Sequence, residues 1–236
     1  MPNWVITRIY ITGPEDKVKD FEGKCLRPNR DEDGEFQRTF SFDRIKQRPK
    51  ELANTTTPNP KPEVRKVKDM QGNEIVVEVY KDIINEWDIQ SAISRGETPP
   101  EPIPCNNATP DQQEELRQKY GHSNWYEWNL DNWGTKWDCS DSHYTEKDKI
   151  LQFQTAWACP DKIIAEMKLK FPELRFDGSY SDEDFGFNVG HIEDGLLYPL
   201  ENLSEEACET SATLWGHEGY YDDEKKEWVF DGQEDE

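Results

Sequence analysis

The chain is short of cations: 28 Lys and Arg stand against 50 Asp and Glu, a formal charge of −22 over 236 residues. That balance excludes a nucleic-acid binder held on phosphates by counterion release. Aliphatic residues are scarce too. Leu, Ile, Val and Phe supply 45 residues, about 19%, which at this charge falls on the disordered side of the compositional boundary. No run approaches the eighteen or so apolar residues of a membrane span, and Met1-Pro2-Asn3-Trp4-Val5 has neither the basic nor the apolar region of an export signal. A soluble, unexported protein is expected, with no membrane partner. The five cysteines, Cys25, Cys105, Cys139, Cys159 and Cys208, are odd in number and free of C-x-x-C, which favours reduced thiols in a cytosol over a disulfide framework. Also missing are G-x-S-x-G, a Walker loop, G-x-G-x-x-G and H-E-x-x-H, so no catalytic residue and no cofactor are expected.

What offsets the aliphatic shortage is nine Trp and nine Tyr, large buriable side chains in which disordered chains are poor. A folded protein with a thin core is therefore expected. Trp4 to Thr12 alternates, with Val5, Thr7, Ile9 and Ile11 on one face, and reads as a strand. Pro14, followed by Glu15 and Asp16 at the positive end of a helix dipole, opens a helix that carries Val18 and Phe21 and stops near Gly23. Phe36 to Ile45 reads as the returning strand. Residues 44–62 are polar and rich in proline and read as a loop; Glu63 to Asp69 and Glu74 to Tyr80 read as a hairpin. A helix over Lys81 to Arg95, a proline-rich linker over Gly96 to Pro110 and a capped helix over Asp111 to Tyr120 follow.

Next comes a dense aromatic tract, with Trp125, Tyr126, Trp128, Trp133 and Trp137 in thirteen residues and a helix expected from Asn124 to Trp133. Ile150 to Trp157 reads as a strand, Pro160 to Phe171 as a helix with Ile163, Ile164, Met167 and Phe171 on one stripe, and Leu174 to Tyr180 and Phe185 to Ile192 as strands. Two strand-helix-strand units predict an α+β, ferredoxin-like split βαβ sandwich, an antiparallel sheet covered on one side by two helices. The expected domain runs over 1–198, with an insertion at 44–140 that forms a long hairpin and helical crossover between the halves. Residues 199–236 form an acidic C-terminal annex, a helix capped by Ser204 and then a hairpin from Tyr220-Tyr221 to Trp228-Val229-Phe230.

Three pieces together resemble the YubB ferredoxin-like proteins carried by bacteriophages and plasmids. They are Met1-Pro2-Asn3-Trp4, the block from Tyr120-Gly121-His122-Ser123-Asn124-Trp125 to Thr135-Lys136-Trp137-Asp138, and Thr155-Ala156-Trp157 followed by Pro160. The resemblance covers roughly residues 1–195. It implies the same fold, a mobile-element origin and a bacterial cytoplasm, and it brings no catalytic residues. The turn Ala158-Cys159-Pro160 departs from the two prolines that the family pattern has there.

The charge is not spread evenly. Residues 172–236 hold 20 acidic and three basic side chains, whereas residues 1–171 hold 30 and 25. An acidic surface serves solubility; concentrated like this, it can also steer association with a basic partner. The expected partner is a host protein with a basic surface, met by Asp182, Glu183, Asp184, Glu205, Glu206, Asp222, Asp223 and Glu224 acting as a nucleic-acid mimic; direct nucleic-acid binding is not expected. The alternative is a small-molecule or nucleotide pocket formed by His122, Trp125, Trp128, Trp133 and Trp137, set against their use as core with Asn124, Asn129 and Asn132 accepting from the indoles. Cys139, His143 and Cys159 lack a matching fourth ligand, and the Asp177 to Asp184 run has Asp182 where a calcium loop needs glycine, so no metal site is expected.

Overall fold

The computed structural model describes residues 3–30, 36–53, 55, 63–68, 74–79 and 110–231. In chain order its elements are β1 (Trp4–Thr12), α1 (Glu15–Cys25), β2 (Leu26–Arg30), β3 (Phe36–Phe40), α2 (Phe42–Ile45), α3 (Lys50–Ala53), β4 (Glu63–Lys68) and β5 (Glu74–Val79). Then follow α4 (Pro110–Tyr120), α5 (Trp125–Trp133), β6 (Ser140–Thr145), β7 (Ile150–Ala156), α6 (Asp161–Lys170), β8 (Arg175–Asp182), β9 (Gly190–Glu193) and β10 (Leu196–Pro199). The last are α7 (Glu205–Trp215), β11 (Gly219–Asp222) and β12 (Glu227–Phe230). The helix expected over 81–95, the linker over 96–109 and the last residues, 232–236, lie outside the described residues.

Two compact units are present, Met1–Arg48 with Trp128–Glu236, and Pro49–Glu127. The first contains a six-stranded sheet in the order β10-β9-β8-β1-β7-β6, antiparallel throughout. Its middle is β1, whose alternation predicts this position: Val5, Thr7, Ile9 and Ile11 are all buried on one face, as a strand flanked on both sides requires. On that face α1 contributes Val18, Phe21 and Cys25 and α6 contributes Ile163, Ile164 and Met167. The Phe21 ring meets Phe171, just past α6, at 5.3 Å and Phe176 of β8 at 5.8 Å. The chain order β1-α1-β6-β7-α6-β8 with sheet order β8-β1-β7-β6 is a ferredoxin-like α+β sandwich.

The opposite face carries α7. Ser181 points away from Phe176 by strand alternation, and its hydroxyl lies 2.8 Å from the Ser211 hydroxyl of α7, both fully buried. Ser204 caps α7 by accepting from the Ala207 amide at 3.2 Å, and Gly216 ends it in a left-handed conformation. Beyond it, the β11–β12 hairpin is held by aromatic stacking: Phe230 and Trp228 lie 4.9 and 5.6 Å from Phe185, and His217 lies 5.6 Å from the same ring.

Several elements differ from the sequence reading. Phe36 to Ile45 is not one strand in the main sheet. Its first part, β3, pairs with β2 as a separate ribbon, and its second part turns into α2. Asp138 causes the break, accepting from the Ser41 hydroxyl and the Phe42 amide at 2.7 Å each, which fixes Phe42 as the first helical residue. The sheet position is taken by β6, whose sequence SDSHYT carries no apolar alternation and so gives no strand signal. Within 44–62, residues 50–53 are helical instead of loop. The strand expected over Phe185 to Ile192 begins only at Gly190, after a loop in which Gly186 and Asn188 take positive φ, and a left-handed Asp194-Gly195 turn then folds β10 back onto it.

The second unit contains α3, the antiparallel β4–β5 hairpin, α4 and the first turn of α5. Gly121 closes α4 with a positive φ, and the Asn124 side chain caps α5 by accepting from the Glu127 amide at 3.0 Å. Lys119 of α4 pairs with Glu51 of α3 at 3.0 Å.

Glu22 is the anomaly of α1. Four residues after Val18, it sits on the apolar stripe and is only 6% exposed. It accepts from the Tyr144 hydroxyl at 2.8 Å, from Lys149 Nζ at 3.1 Å and from Arg38 Nη1 at 3.3 Å, which ties α1 to the β6–β7 hairpin and to β3. Burial opposes its ionisation, but the Tyr144 and Lys149 hydrogen bonds and the charges of Lys149 and Arg38 outweigh it and hold the carboxyl below its ordinary value. A carboxyl lowered in this way contributes stability that is fully present above its unfolded-state pKa and is lost as pH falls through the folded-state value. Glu22→Gln is therefore expected to lower stability at neutral pH by about 2 kcal/mol and to flatten the acid limb of the stability curve. Urea titrations across acid and neutral pH check this; an acid limb identical to wild type contradicts it.

Candidate functional site

The expected acidic surface is built around a carboxylate that is not part of it. Asp182 ends β8 at only 5% exposure. Its Oδ1 accepts from Asn3 Nδ2 at 3.3 Å and from the Asp184 amide at 2.9 Å, and its Oδ2 accepts from Asn188 Nδ2 at 3.2 Å. Its backbone carbonyl takes the indole N–H of Trp215 in α7 at 2.8 Å. A buried carboxylate persists only when hydrogen bonds replace its lost hydration, and here those bonds come from the chain segments it organises. Asp182 thus leaves the list of partner-binding acids. Its neighbours differ, for Glu183 and Asp184 are exposed at the start of the 183–188 loop.

The other acids divide in the same way. Asp222 is half-buried and accepts from the Glu224 and Lys225 amides at 2.9 and 3.1 Å, which shapes the β11–β12 turn. Asp223 faces Lys226 at 3.3 Å, and Glu206 meets His191 Nε2 at 2.8 Å. Glu183, Asp184, Glu205 and Glu224 are exposed, and among the described residues no ion pair engages them. Glu205 and Glu206 also stand in the first turn of α7, at the positive end of its dipole. Of the eight acids expected on the surface, those left exposed and without an ion pair among the described residues stand on the 183–184 loop, at the start of α7 and at the hairpin tip. The run from Asp177 to Asp182 lies inside β8, where alternate side chains face opposite ways, so it forms no calcium loop.

The Trp block is shared between the two units: His122 and Trp125 belong to the second, and Trp128, Trp133 and Trp137 to the first. In the first unit Trp128 and Trp133 are core, packed edge to face at 5.7 Å, and Phe42 meets Trp133 at 5.8 Å. The Trp133 indole donates to the Lys46 carbonyl at 2.8 Å, not to any of the asparagines expected. Asn129 instead accepts from Arg48 Nη1 at 3.4 Å and donates to the Lys136 carbonyl at 2.7 Å. Trp137 is different. It is 40% exposed and stacks at 5.3 Å, tilted by 34°, on Trp157, which is 47% exposed. Lys136 Nζ lies over both rings, at 4.7 and 5.3 Å.

Trp157 carries a second peculiarity, a φ of 65° in the left-handed region that a bulky side chain normally avoids. Its amide donates to the Asn3 carbonyl at 2.8 Å and its carbonyl accepts from Asn188 Nδ2 at 3.3 Å. Asn3 and Asn188 are also the two asparagines on Asp182, so the exposed indole pair and the Glu183-Asp184 loop occupy one corner of the sheet. Sequence reasoning did not single out Trp157 as a site residue. The signal was available in its place at the end of β7, where the alternation stops one residue before a turn.

Among the described residues, burial disfavours the reactive thiolate. Burial pushes Cys25 up to about 12 and raises Cys159 and Cys139 well above the ordinary thiol value, so all three stay protonated at neutral pH. Cys159 Sγ accepts from the Thr7 hydroxyl at 3.6 Å and Cys139 Sγ donates to the Phe40 carbonyl at 3.4 Å. Among the described residues no three His, Cys, Asp or Glu side chains are grouped to hold a metal ion, and no helix is long and apolar enough to cross a membrane. A cavity of about 470 Å³ opens beside Glu22, lined by Lys19, Leu26, Pro28, Arg38 and Glu146. The sequence reading missed it; its signal was the acidic residue on the apolar stripe of α1.

A family model described as the ferredoxin-like domain in Api92-like protein matches residues 132–229. The matched segment takes in the β6–β7 hairpin, α6, β8 to β10 and α7, and most of the final hairpin. No curated protein and no solved structure matches the chain.

If Asp182 organises this corner, Asp182→Ala is expected to destabilise the protein by about 2 to 3 kcal/mol, whereas Glu183→Ala next to it changes stability by less than about 0.5 kcal/mol. Denaturant unfolding of the two variants checks the contrast, and equal small effects contradict it.

Proposed function

We propose that the chain works without catalysis, by presenting an acidic surface to the basic face of another protein. The observation that carries this reading is the placement of Glu183, Asp184, Glu205 and Glu224, exposed and without an ion pair among the described residues, on backbone that is fixed by Asp182, by the Ser204 cap and by the Asp222 turn. Mimicry of nucleic acid is favoured by charges held in place, because a flexible acidic tail loses conformational entropy when it orders on binding. The most economical role for such a surface is inhibition of a nucleic-acid-processing protein by occupation of its groove. On the resemblance to the YubB family, the chain is a phage- or plasmid-borne anti-defence factor acting in the cytoplasm of its bacterial host. The second reading, a small-molecule or nucleotide pocket, is favoured by one feature, the exposed Trp137–Trp157 pair. The surrounding carboxylates repel phosphate and weigh against a nucleotide there.

The test compares the wild-type chain with a variant carrying Glu183→Lys, Asp184→Lys, Glu205→Lys and Glu224→Lys. Asp182 and Asp222 are left intact because they are structural. Proteins captured by the wild type from a bacterial lysate are expected to be lost with the variant, released by raised salt, and displaced by free duplex DNA. Capture that survives both the charge reversal and competing DNA overturns the reading.

A further inference from the structure

Aromatic side chains that a fold needs for its core become buried, as Trp128 and Trp133 do; Trp137 and Trp157 stay 40% and 47% exposed while stacked on each other. Exposing two large indoles side by side wastes apolar area that burial would turn into stability. Trp157 adds a backbone cost, since its φ of 65° suits Asn or Gly and strains a Trp. The Thr155 hydroxyl, which donates to the Ala158 carbonyl at 2.7 Å, holds this turn closed, so the conformation is enforced by the surrounding structure. A strained, exposed aromatic in an enforced turn is a side chain placed for contact with something outside the chain.

The chemistry of that contact can be read from what the rings already accept. Lys136 places its ammonium over both indoles, which shows that the pair presents its electron-rich faces to a cation. The Glu183-Asp184 loop reinforces the preference. Asn188 bridges the Trp157 carbonyl and the Asp182 carboxylate, and Asp184 is bonded to that same carboxylate, which puts the exposed Glu183 and Asp184 in the same corner. A base or nucleotide stacked here brings phosphate into this field, whereas a guanidinium brings the opposite charge and a planar group that stacks on indole.

We infer that the Trp137–Trp157 pair is the anchor of the docking surface, and that it takes an arginine side chain from a basic segment of the partner protein, with Glu183 and Asp184 pairing to neighbouring cations. The inference rests on the acidic-surface reading and names the residue type that surface selects. Arginine is preferred over lysine because its guanidinium stacks flat and is weakly hydrated; lysine satisfies only the charge. Interfaces concentrate their affinity in a few such aromatic contacts, and the acidic rim supplies the steering.

The test uses labelled hexa-arginine and hexa-lysine peptides of equal charge, followed by fluorescence anisotropy at low and raised salt. The full chain is expected to bind the arginine peptide about five-fold more tightly than the lysine peptide. Trp157→Asn, which relieves the backbone strain and so preserves the fold, and Trp137→Ala are each expected to bring that ratio close to one while leaving lysine-peptide binding in place. Lys136→Met, which removes the internal cation, is expected to raise arginine-peptide affinity. Equal binding of the two peptides, unchanged by either Trp substitution, overturns the anchor but leaves the acidic surface standing. Failure of both peptides to bind at low salt overturns the anchor and the acidic surface together. Saturable binding of ATP that is lost in Trp157→Asn assigns the pair to a nucleotide and overturns the inference.

Discussion

The buried carboxylate of Asp182 is the constraint on which the acidic corner of the sheet depends. It closes the end of β8 against the start of β1 through Asn3, reaches the end of β7 through Asn188 and shapes the 183–188 loop through the Asp184 amide; its backbone carbonyl receives Trp215 from α7. Four chain segments far apart in sequence are therefore tied to one residue. Burying a carboxylate is unfavourable unless each contact is in place, so the corner is cooperative: its segments are ordered together or not at all. The same arrangement makes the neighbouring acids useful. A chain with this much negative charge repels itself, and an acidic surface keeps its geometry only where internal bonds hold the backbone against that repulsion.

A second constraint comes from the back of the sheet. In a plain two-layer sandwich one face of the sheet is left to solvent. Here α7 covers part of it, with Ala207, Cys208, Ala212 and Leu214 buried and Ser181 bonded to Ser211. Small residues let the helix sit close, and the serine pair satisfies two hydroxyls that would otherwise be stranded. The covering helix brings its acidic first turn with it, so the packing that completes the core also fixes Glu205 and Glu206 on the surface. Electrostatic display and core formation are two consequences of one docking event.

Much of this was legible in the sequence, for identifiable reasons. β1, α1, β7, α6 and the capped α7 announce themselves by alternation, by apolar stripes and by Ser204, because each buries one face and its period shows. β6 was invisible, since SDSHYT makes an edge strand in which Tyr144 is the one buried side chain, too little for an alternation to show. The break at Ser41 was hidden as well, because its cause, Asp138, lies almost a hundred residues away. The candidate site was half legible. Charge concentration in residues 172–236 is a compositional fact, but which acids are displayed and which are structural depends on burial, and Asp182 and Asp222 lie on the structural side. In the Trp block, composition pointed to the right tract without separating Trp133, a core residue with its indole on Lys46, from Trp137, whose stacking partner Trp157 lies in another element.

In the proposed mode of binding, the displayed acids and the exposed indole pair form a single surface that receives a basic segment. The most direct measurement is an NMR titration of the full chain with the hexa-arginine peptide, reading backbone amides and indole N–H signals together. Shifts are expected to saturate in parallel at Trp137, Trp157, Glu183, Asp184 and Glu205, with Trp128 and Trp133 unmoved. Shifts confined to the Glu22 cavity, or acids and indoles that saturate at different peptide concentrations, would contradict it.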